Sequence, residues 1–580
     1  MTDKPNILVI QADQLTALCL AAYGKPLALT PHIDKIAAQG TVFANTYCNS
    51  PVCGPSRAGM MTGRIPSNVG VYDNAGEFLS SEPTFAHYLR ALGYQTTLCG
   101  KMHFVGPDQL HGFERRLTTD IYPSDYGWTA DWSKIEEEYS PSRMSLHSVV
   151  EAGLCDRSLQ IDYDEHVFNT ARQELFDLAR STDERPFLLH VSFTHPHNPF
   201  VTTKEFWDLY DKDQISMPEV GYIPYKDRDP WAQRYYMTIR QDEFDITDEQ
   251  LQNARHAYFA MTSYLDTLVG DLVAVLEKTG TLDNTYVFVI SDHGDMIGER
   301  GMWFKFNPFE GSVRVPMIGM GPRIPAGHSE STLTTLADLL PTFVDIASDG
   351  KFDSYASAID GRSLFDLPAA DSDDNIVFFE YCGEGVHAPA LMCRDKNIKY
   401  ISCGDDPEMM FNLEIDPNEQ NNLAGNPRYA KTLATMRAHV ANRWDEPNLA
   451  ERVETSQKNR LFVQEAMKQG VFPSWDYTPP FDASRAYVRG AIDPIRPQPK
   501  LVNGSHLYPL LRHKIRDVEA DISKTIKPKP RVQKQDGQHL IDLADSNSRQ
   551  RKILLNHLWF SVCFERQTAP SRHVLFLHKS

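Results

Sequence analysis

Five residues near the start of the chain, Cys53-Gly54-Pro55-Ser56-Arg57, pose the chemical question. Pro55 suits the first turn of a helix, and Arg57-Ala58-Gly59-Met60-Met61 can continue it. Residue 53 then stands at a helix N-terminus, where unpaired backbone N–H groups favour an anion. A buried structural cysteine ahead of a proline-started helix satisfies the same five residues. The position of the other chemistry-bearing side chains separates the two readings. Asp13-Gln14, Lys101 with His103, His195-Pro196-His197 and Asp292-His293 each follow a short apolar run.

Those runs, at 6–10, 95–99, 187–193 and 286–290, read as strands, the β-branched first one as a strand buried on both faces. Helical patterns lie between them. One covers 31–37 and stops at Gly40; another covers 84–92 and stops at Gly93. A long one opens at Thr247, with Gln250 placed for a capping box, and ends at Gly280. Its Leu251, Ala254, Tyr258, Met261, Leu265, Leu268 and Leu272 recur at three- and four-residue steps, one apolar face. Strands alternating with helices predict a mostly parallel sheet, whose ligand site lies beyond the carboxyl ends of the strands. Four polar clusters at four such ends should therefore meet.

The expected fold is α/β: a large, mostly parallel sheet flanked by helices, plus a small C-terminal α+β domain with a short antiparallel sheet. The large domain is expected over 1–370, closed by a helix at 334–346. Residues 105–165 read as an irregular excursion rich in Tyr, Trp, Asp and Ser, of the kind that shapes a substrate pocket. The small subdomain is expected over 371–494, with strands at 376–379, 390–393 and 399–402 and a helix at 429–444. Residues 495–580 form a basic tail without clear periodicity.

The 580 residues carry a formal charge of −19. The tail holds 16 Lys and Arg against 7 Asp and Glu, so the remainder is near −28. An acidic body disfavours nucleic acid and suits a small or cationic substrate. No apolar run approaches the ~18–20 residues that span a bilayer, so no membrane partner is expected. Nine scattered cysteines argue against a disulfide framework, and the N-terminus shows no secretory leader. The expected location is the cytoplasm.

The Cys-x-Pro-Ser-Arg signal and the order of the clusters resemble the type I sulfatases of the alkaline phosphatase superfamily. Within that family the choline sulfatase branch is the nearer resemblance. It is carried by residues 72–78, the run 100–114, Val191-Ser192-Phe193-Thr194-His195-Pro196-His197, Glu380-Tyr381 with Glu384-Gly385, and Asp482-Ala483-Ser484-Arg485-Ala486-Tyr487-Val488-Arg489. The likeness spans roughly 4–494 and omits the tail. It implies that Cys53 is oxidised to Cα-formylglycine by a formylglycine-generating enzyme. One hydroxyl of the hydrated aldehyde attacks sulfur, and the other then expels inorganic sulfate. It further implies a divalent cation, Ca²⁺ with Mn²⁺ or Mg²⁺ left open, among Asp13, Gln14, Asp292, His293 and position 53.

By the same resemblance Arg57 holds the diol or its neighbours. Lys101, His197 and Lys305 bind the sulfuryl group and the leaving oxygen. His103 is the implied base, with a neutral core histidine as its alternative; for His195 the core reading is favoured. Asn74 is implied to donate to a sulfate oxygen, its alternative being a turn residue. Trp128 and Glu384 are implied to hold the quaternary ammonium of choline O-sulfate, with Asp493 at the edge of the match. The rivals are a phosphonate or phosphate monoester hydrolase, a broad arylsulfatase, and an inactive choline- or sulfate-binding homologue. The family often forms homo-oligomers, so a dimer or tetramer is expected.

Overall fold

Runs of Val, Ile, Leu and Phe without polar alternation must be covered on both faces, and they form the centre of the sheet. The computed structural model describes residues 4–137, 140–352 and 354–481; the run 482–489, Asp493 and the tail lie outside them. In chain order the strands of the large domain are β1 (Asn6–Ala12), β2 (Thr41–Tyr47), β3 (Gln95–Gly100), β4 (Arg115–Arg116), β5 (Gly153–Leu154), β6 (Phe187–Ser192), β7 (Val201–Thr202), β8 (Thr285–Ser291), β9 (Met317–Met320) and β10 (His328–Thr335). Eight of them make one sheet in the order β10-β2-β9-β8-β1-β6-β3-β4, while β5 and β7 pair outside it.

The central four, β8-β1-β6-β3, are mutually parallel. Their carboxyl ends lie side by side, and the four polar clusters follow directly. Strand β9 runs antiparallel to both β8 and β2, the one reversal in an otherwise parallel sheet. It restores β2 to the direction of the central strands, so the segment after Tyr47 that leads to Cys53 leaves from the same end.

Local signals explain most of the helices. Thr84 caps the helix Phe85–Ala91. Thr247 and Gln250 form a capping box at the head of Asp248–Thr279, which Gly280 closes in the left-handed conformation. By length and composition this helix could cross a bilayer, which corrects the expectation that no such stretch exists; here residues 254–266 are all buried. The helix expected at 334–346 begins later, at Leu339, because Thr334 and Thr335 complete β10. The irregular excursion ends earlier, at Ser158, which caps the helix Leu159–Ala179.

One cap comes from a distant part of the chain. Thr30 makes no side-chain cap to the helix Pro31–Gln39. Buried Asp266 accepts from His32 N at 3.1 Å and Ile33 N at 2.7 Å instead. Asp266→Ala is expected to lower stability by about 1–2 kcal/mol. A denaturation midpoint equal to wild type would contradict this cap.

The small domain forms an antiparallel sheet of β11 (Ile376–Tyr381), β12 (Ala390–Asp395), β13 (Ile398–Cys403) and β14 (Met409–Asn412), in that order. Helix Ala430–Arg443 covers it. Buried Lys399 pairs with Glu310 at 3.0 Å and Glu419 at 2.7 Å. Glu380 accepts from Ser67 and from Trp444 Nε1. A further helix, Glu446–Met467, follows; its buried residues are Leu449, Val453, Gln457 and Arg460.

Candidate functional site

Helix Cys53–Thr62 is buried along its whole length, and Val52 at its head offers no side-chain cap. Asn74 fills part of that role from outside: its Oδ1 accepts from Gly54 N at 2.9 Å. Cys53 Sγ lies 3.2 Å from His293 Nε2, 3.5 Å from Lys101 Nζ and 3.9 Å from Asp13 Oδ1. Burial and the Asp13 carboxylate oppose ionisation of the thiol. Lys101, Lys305 and His293 outweigh them and hold it down to about 5.

Arg57 is the hub that joins the strand ends. Its guanidinium donates to Asp292 Oδ2 at 2.8 Å, after β8, and to Ser192 Oγ at 2.8 Å, at the end of β6. It also donates to the Lys101 carbonyl at 2.6 Å, after β3, and reaches Asp13 Oδ2 at 3.5 Å, after β1. Lys101 ion-pairs with the same Asp13 carboxylate. Burial opposes the charge on Asp13, but Lys101 and Arg57 hold it well below the ordinary carboxylate range.

Backbone geometry aims several of these groups. Gly100 has φ +107°, and a Cβ there would meet the Ser192 carbonyl oxygen at 1.9 Å, so only glycine lets β3 deliver Lys101. Gln14 and His103 sit at φ +65° and +55°. Lys305 is flanked by two more left-handed residues, Phe304 and Phe306. Each such non-glycine residue costs about 1–2 kcal/mol, a pattern typical of functional sites. Lys305 Nζ lies 2.5 Å from Gln14 Oε1 and 2.6 Å from His197 Nε2. Gln14 donates its backbone N–H to Asp292 Oδ1 and its side-chain amide to Asp295. Burial and Lys305 keep His197 well below its ordinary range, hence neutral.

Four donors, from Asp13, Cys53, Asp292 and His293, lie within 4.8 Å of one another, all buried. Donors at that spacing can surround a cation bound at about 2.3–2.6 Å from each. With Asp13 ionised, the set can hold a metal cation. Among the described residues a second group, His387, Cys403 and Asp406, has metal-like spacing. Its charge is already answered by Arg234, which donates to Asp406.

Beside the cluster stands an aromatic group. Lys101 Nζ lies 4.1 Å from the Tyr122 ring centroid. Half-buried Trp128 packs edge-on to Tyr122 at 5.0 Å and to His103 at 5.5 Å. Among the described residues neither ring nitrogen of buried His103 finds a hydrogen-bond partner. Tyr122 carried no sequence signal beyond its place in the irregular stretch. Glu384 is buried and accepts from Ser140 Oγ at 3.1 Å; burial raises it above the ordinary carboxylate range. The His195 ring is held by buried Asp164, Nδ1 to Oδ2 at 2.6 Å, as a core histidine would be, while its backbone carbonyl accepts from Asp13 N at 3.3 Å.

The sulfatase family model matches residues 5–349. The chain therefore belongs to the sulfatase family, and the donor cluster around Cys53 is the active site of a formylglycine-type member. The model for the choline sulfatase enzyme C terminal matches 451–494, and that for the N-sulphoglucosamine sulphohydrolase C terminus matches 298–446. A choline-sulfatase of Rhizobium meliloti is 44% identical over 84% of this chain and 96% of its own. An arylsulfatase of Clostridium perfringens is 29% identical over 75% and 93%. Among solved structures, a phosphonate monoester hydrolase of Agrobacterium radiobacter shares the fold, with a TM-score of 0.61 at 22% identity over 76% of this chain and 95% of that one.

Proposed function

We propose that this enzyme hydrolyses choline O-sulfate to choline and inorganic sulfate. The observation that carries the substrate is the aromatic group of Trp128, Tyr122 and His103 beside Lys101. A quaternary ammonium has no N–H to donate, so aromatic faces and carboxylates are what can recognise it. Glu384 supplies a carboxylate, and a bound cation would stabilise its charged form against burial.

If a formylglycine-generating enzyme converts Cys53, a hydrated aldehyde at position 53 would supply one hydroxyl to attack sulfur as the S–O bond to choline breaks and choline leaves, and a second that, losing its proton, would re-form the aldehyde and break the C–O bond to the sulfate. A divalent cation, Ca²⁺ by the oxygen-rich donors, would be held by Asp13, Asp292, His293 and position 53, with Gln14 beside them, and would screen sulfate charge. The chain's own residues then do the rest. Lys101 and Lys305 place two ammonium groups where charge develops on the sulfuryl oxygens. Neutral His197, against Lys305, can accept or pass a proton near the departing oxygen. His103, whose ring nitrogens find no partner among the described residues, would act as the base. Asn74 fixes the head of the Cys53 helix.

The test compares choline O-sulfate with its neutral isostere, in which carbon replaces the quaternary nitrogen. A desolvated cation–π contact of ~2 kcal/mol predicts kcat/KM about 30-fold higher for the cation. Trp128→Ala should erase most of that gap. Equal kcat/KM for both esters in the wild-type enzyme would refute the choline assignment and favour a broad arylsulfatase.

A further inference from the structure

The helix Glu446–Met467 sends two polar side chains into the margin of the site. Arg460 and Asp73 form a buried ion pair, their side chains 7% and 4% exposed. The pair is bidentate, with Nη1 to Oδ1 at 2.6 Å and Nη2 to Oδ2 at 2.8 Å. Asp73 also accepts from Ala75 N at 3.0 Å and Ala130 N at 3.3 Å, and Arg460 donates to Thr129 Oγ1 at 3.3 Å.

Each of these contacts borders a residue of the site. Asp73 and Ala75 bracket Asn74, whose Oδ1 holds the first turn of the Cys53 helix. Thr129 and Ala130 follow Trp128, which packs on Tyr122 and His103. Gln457, nearly one turn before Arg460, accepts from Trp132 N at 3.0 Å. Trp132 Nε1 in turn donates to the Gly383 carbonyl at 3.0 Å, next to Glu384.

We propose that Arg460 is a positioning residue for the reaction: its ion pair with Asp73 clamps the Asn74 turn and the Trp128 loop together, fixing the nucleophile's helix and the head-group wall in one register. A buried ion pair with its hydrogen bonds met adds little net stability, because desolvation offsets most of the attraction. It does fix geometry, since a guanidinium fork and a carboxylate meet in one plane. The proposal rests on position 53 being the nucleophile.

The test uses the full-length, matured enzyme and the variants Arg460→Gln, Arg460→Lys, Asp73→Asn and the Asp73→Asn/Arg460→Gln double. Hydrogen exchange is followed over 70–76 and 127–132, and kinetics are read with 4-nitrophenyl sulfate and choline O-sulfate. Arg460→Gln should speed exchange in both segments together. It should lower kcat for the aryl ester by on the order of 10- to 100-fold, as small misplacements do. It should raise KM for choline O-sulfate and leave KM for the aryl ester within about twofold, a split that general loss of stability does not produce. Arg460→Lys should recover only part, and the double variant should be no worse than the poorer single one.

Exchange rising in neither segment, or in one alone, would overturn the clamp, as would effects that multiply in the double variant. If Arg460→Gln does not fold, Asp73→Asn carries the same exchange and kinetic tests. If the wild-type enzyme turned over neither ester, the functional reading would fall, and the exchange measurement would still decide the clamp.

Discussion

Cys53→Ala is expected to abolish turnover of every sulfate ester, by at least about 10⁴-fold in kcat, the scale on which loss of a nucleophile is felt. The fold should survive, because the thiol is small and the helix that carries it is held elsewhere. Ser56 Oγ donates to the Asp292 carbonyl at 2.6 Å and Arg57 to Asp292 Oδ2, independently of residue 53. Cys53→Ser should be equally inactive, since a single hydroxyl has no neighbour on the same carbon to release the sulfate. Steady-state rates with choline O-sulfate and 4-nitrophenyl sulfate, beside a thermal melt, check both halves. Retained turnover in either variant would exclude residue 53 as the attacking group.

The second large effect is expected at Arg57. One guanidinium reaches the ends of four adjacent parallel strands, through Asp13, Lys101 O, Ser192 Oγ and Asp292. It is 1% exposed. Arg57→Ala removes the partner of a buried carboxylate, for which about 3–5 kcal/mol of stability is lost. It also frees the strand ends relative to one another, and kcat should fall by about 100-fold or more. Arg57→Lys returns the charge but not the planar fork, so it should recover stability in part and activity hardly at all. Denaturation curves and kcat for the two variants decide this. A lysine variant with wild-type kcat would show that charge alone suffices.

The contrast between these two residues and Arg460 shows what the sequence could reveal. Asp13, Lys101, His197 and Asp292 were legible because each follows a short strand-like run, and the direction of a parallel sheet does the rest. Their meeting around Cys53 follows from β8-β1-β6-β3 being neighbours. The place of Arg57 one turn from Cys53 was legible, but its reach to four strand ends was not, because that depends on strand order. Strand β9 is only Met317–Met320, too short for its antiparallel sense to leave a pattern. The helix Glu446–Met467 leaves no apolar pattern, for a different reason. Its inward stripe is Leu449, Val453, Gln457 and Arg460, and half of it is polar. Apolar periodicity cannot show a helix whose business is hydrogen bonds. Tyr122 and Trp128 lie in an irregular stretch where ring packing, and no repeat, sets their positions.

The claim beneath all of this is that position 53 becomes an aldehyde within a cluster built to hold it. The direct measurement is the mass of the peptide containing Cys53, taken from enzyme purified with its turnover intact. Conversion of the thiol to the aldehyde predicts a peptide about 18 Da lighter than the sequence specifies. An active enzyme whose peptide keeps the full thiol mass would contradict the account.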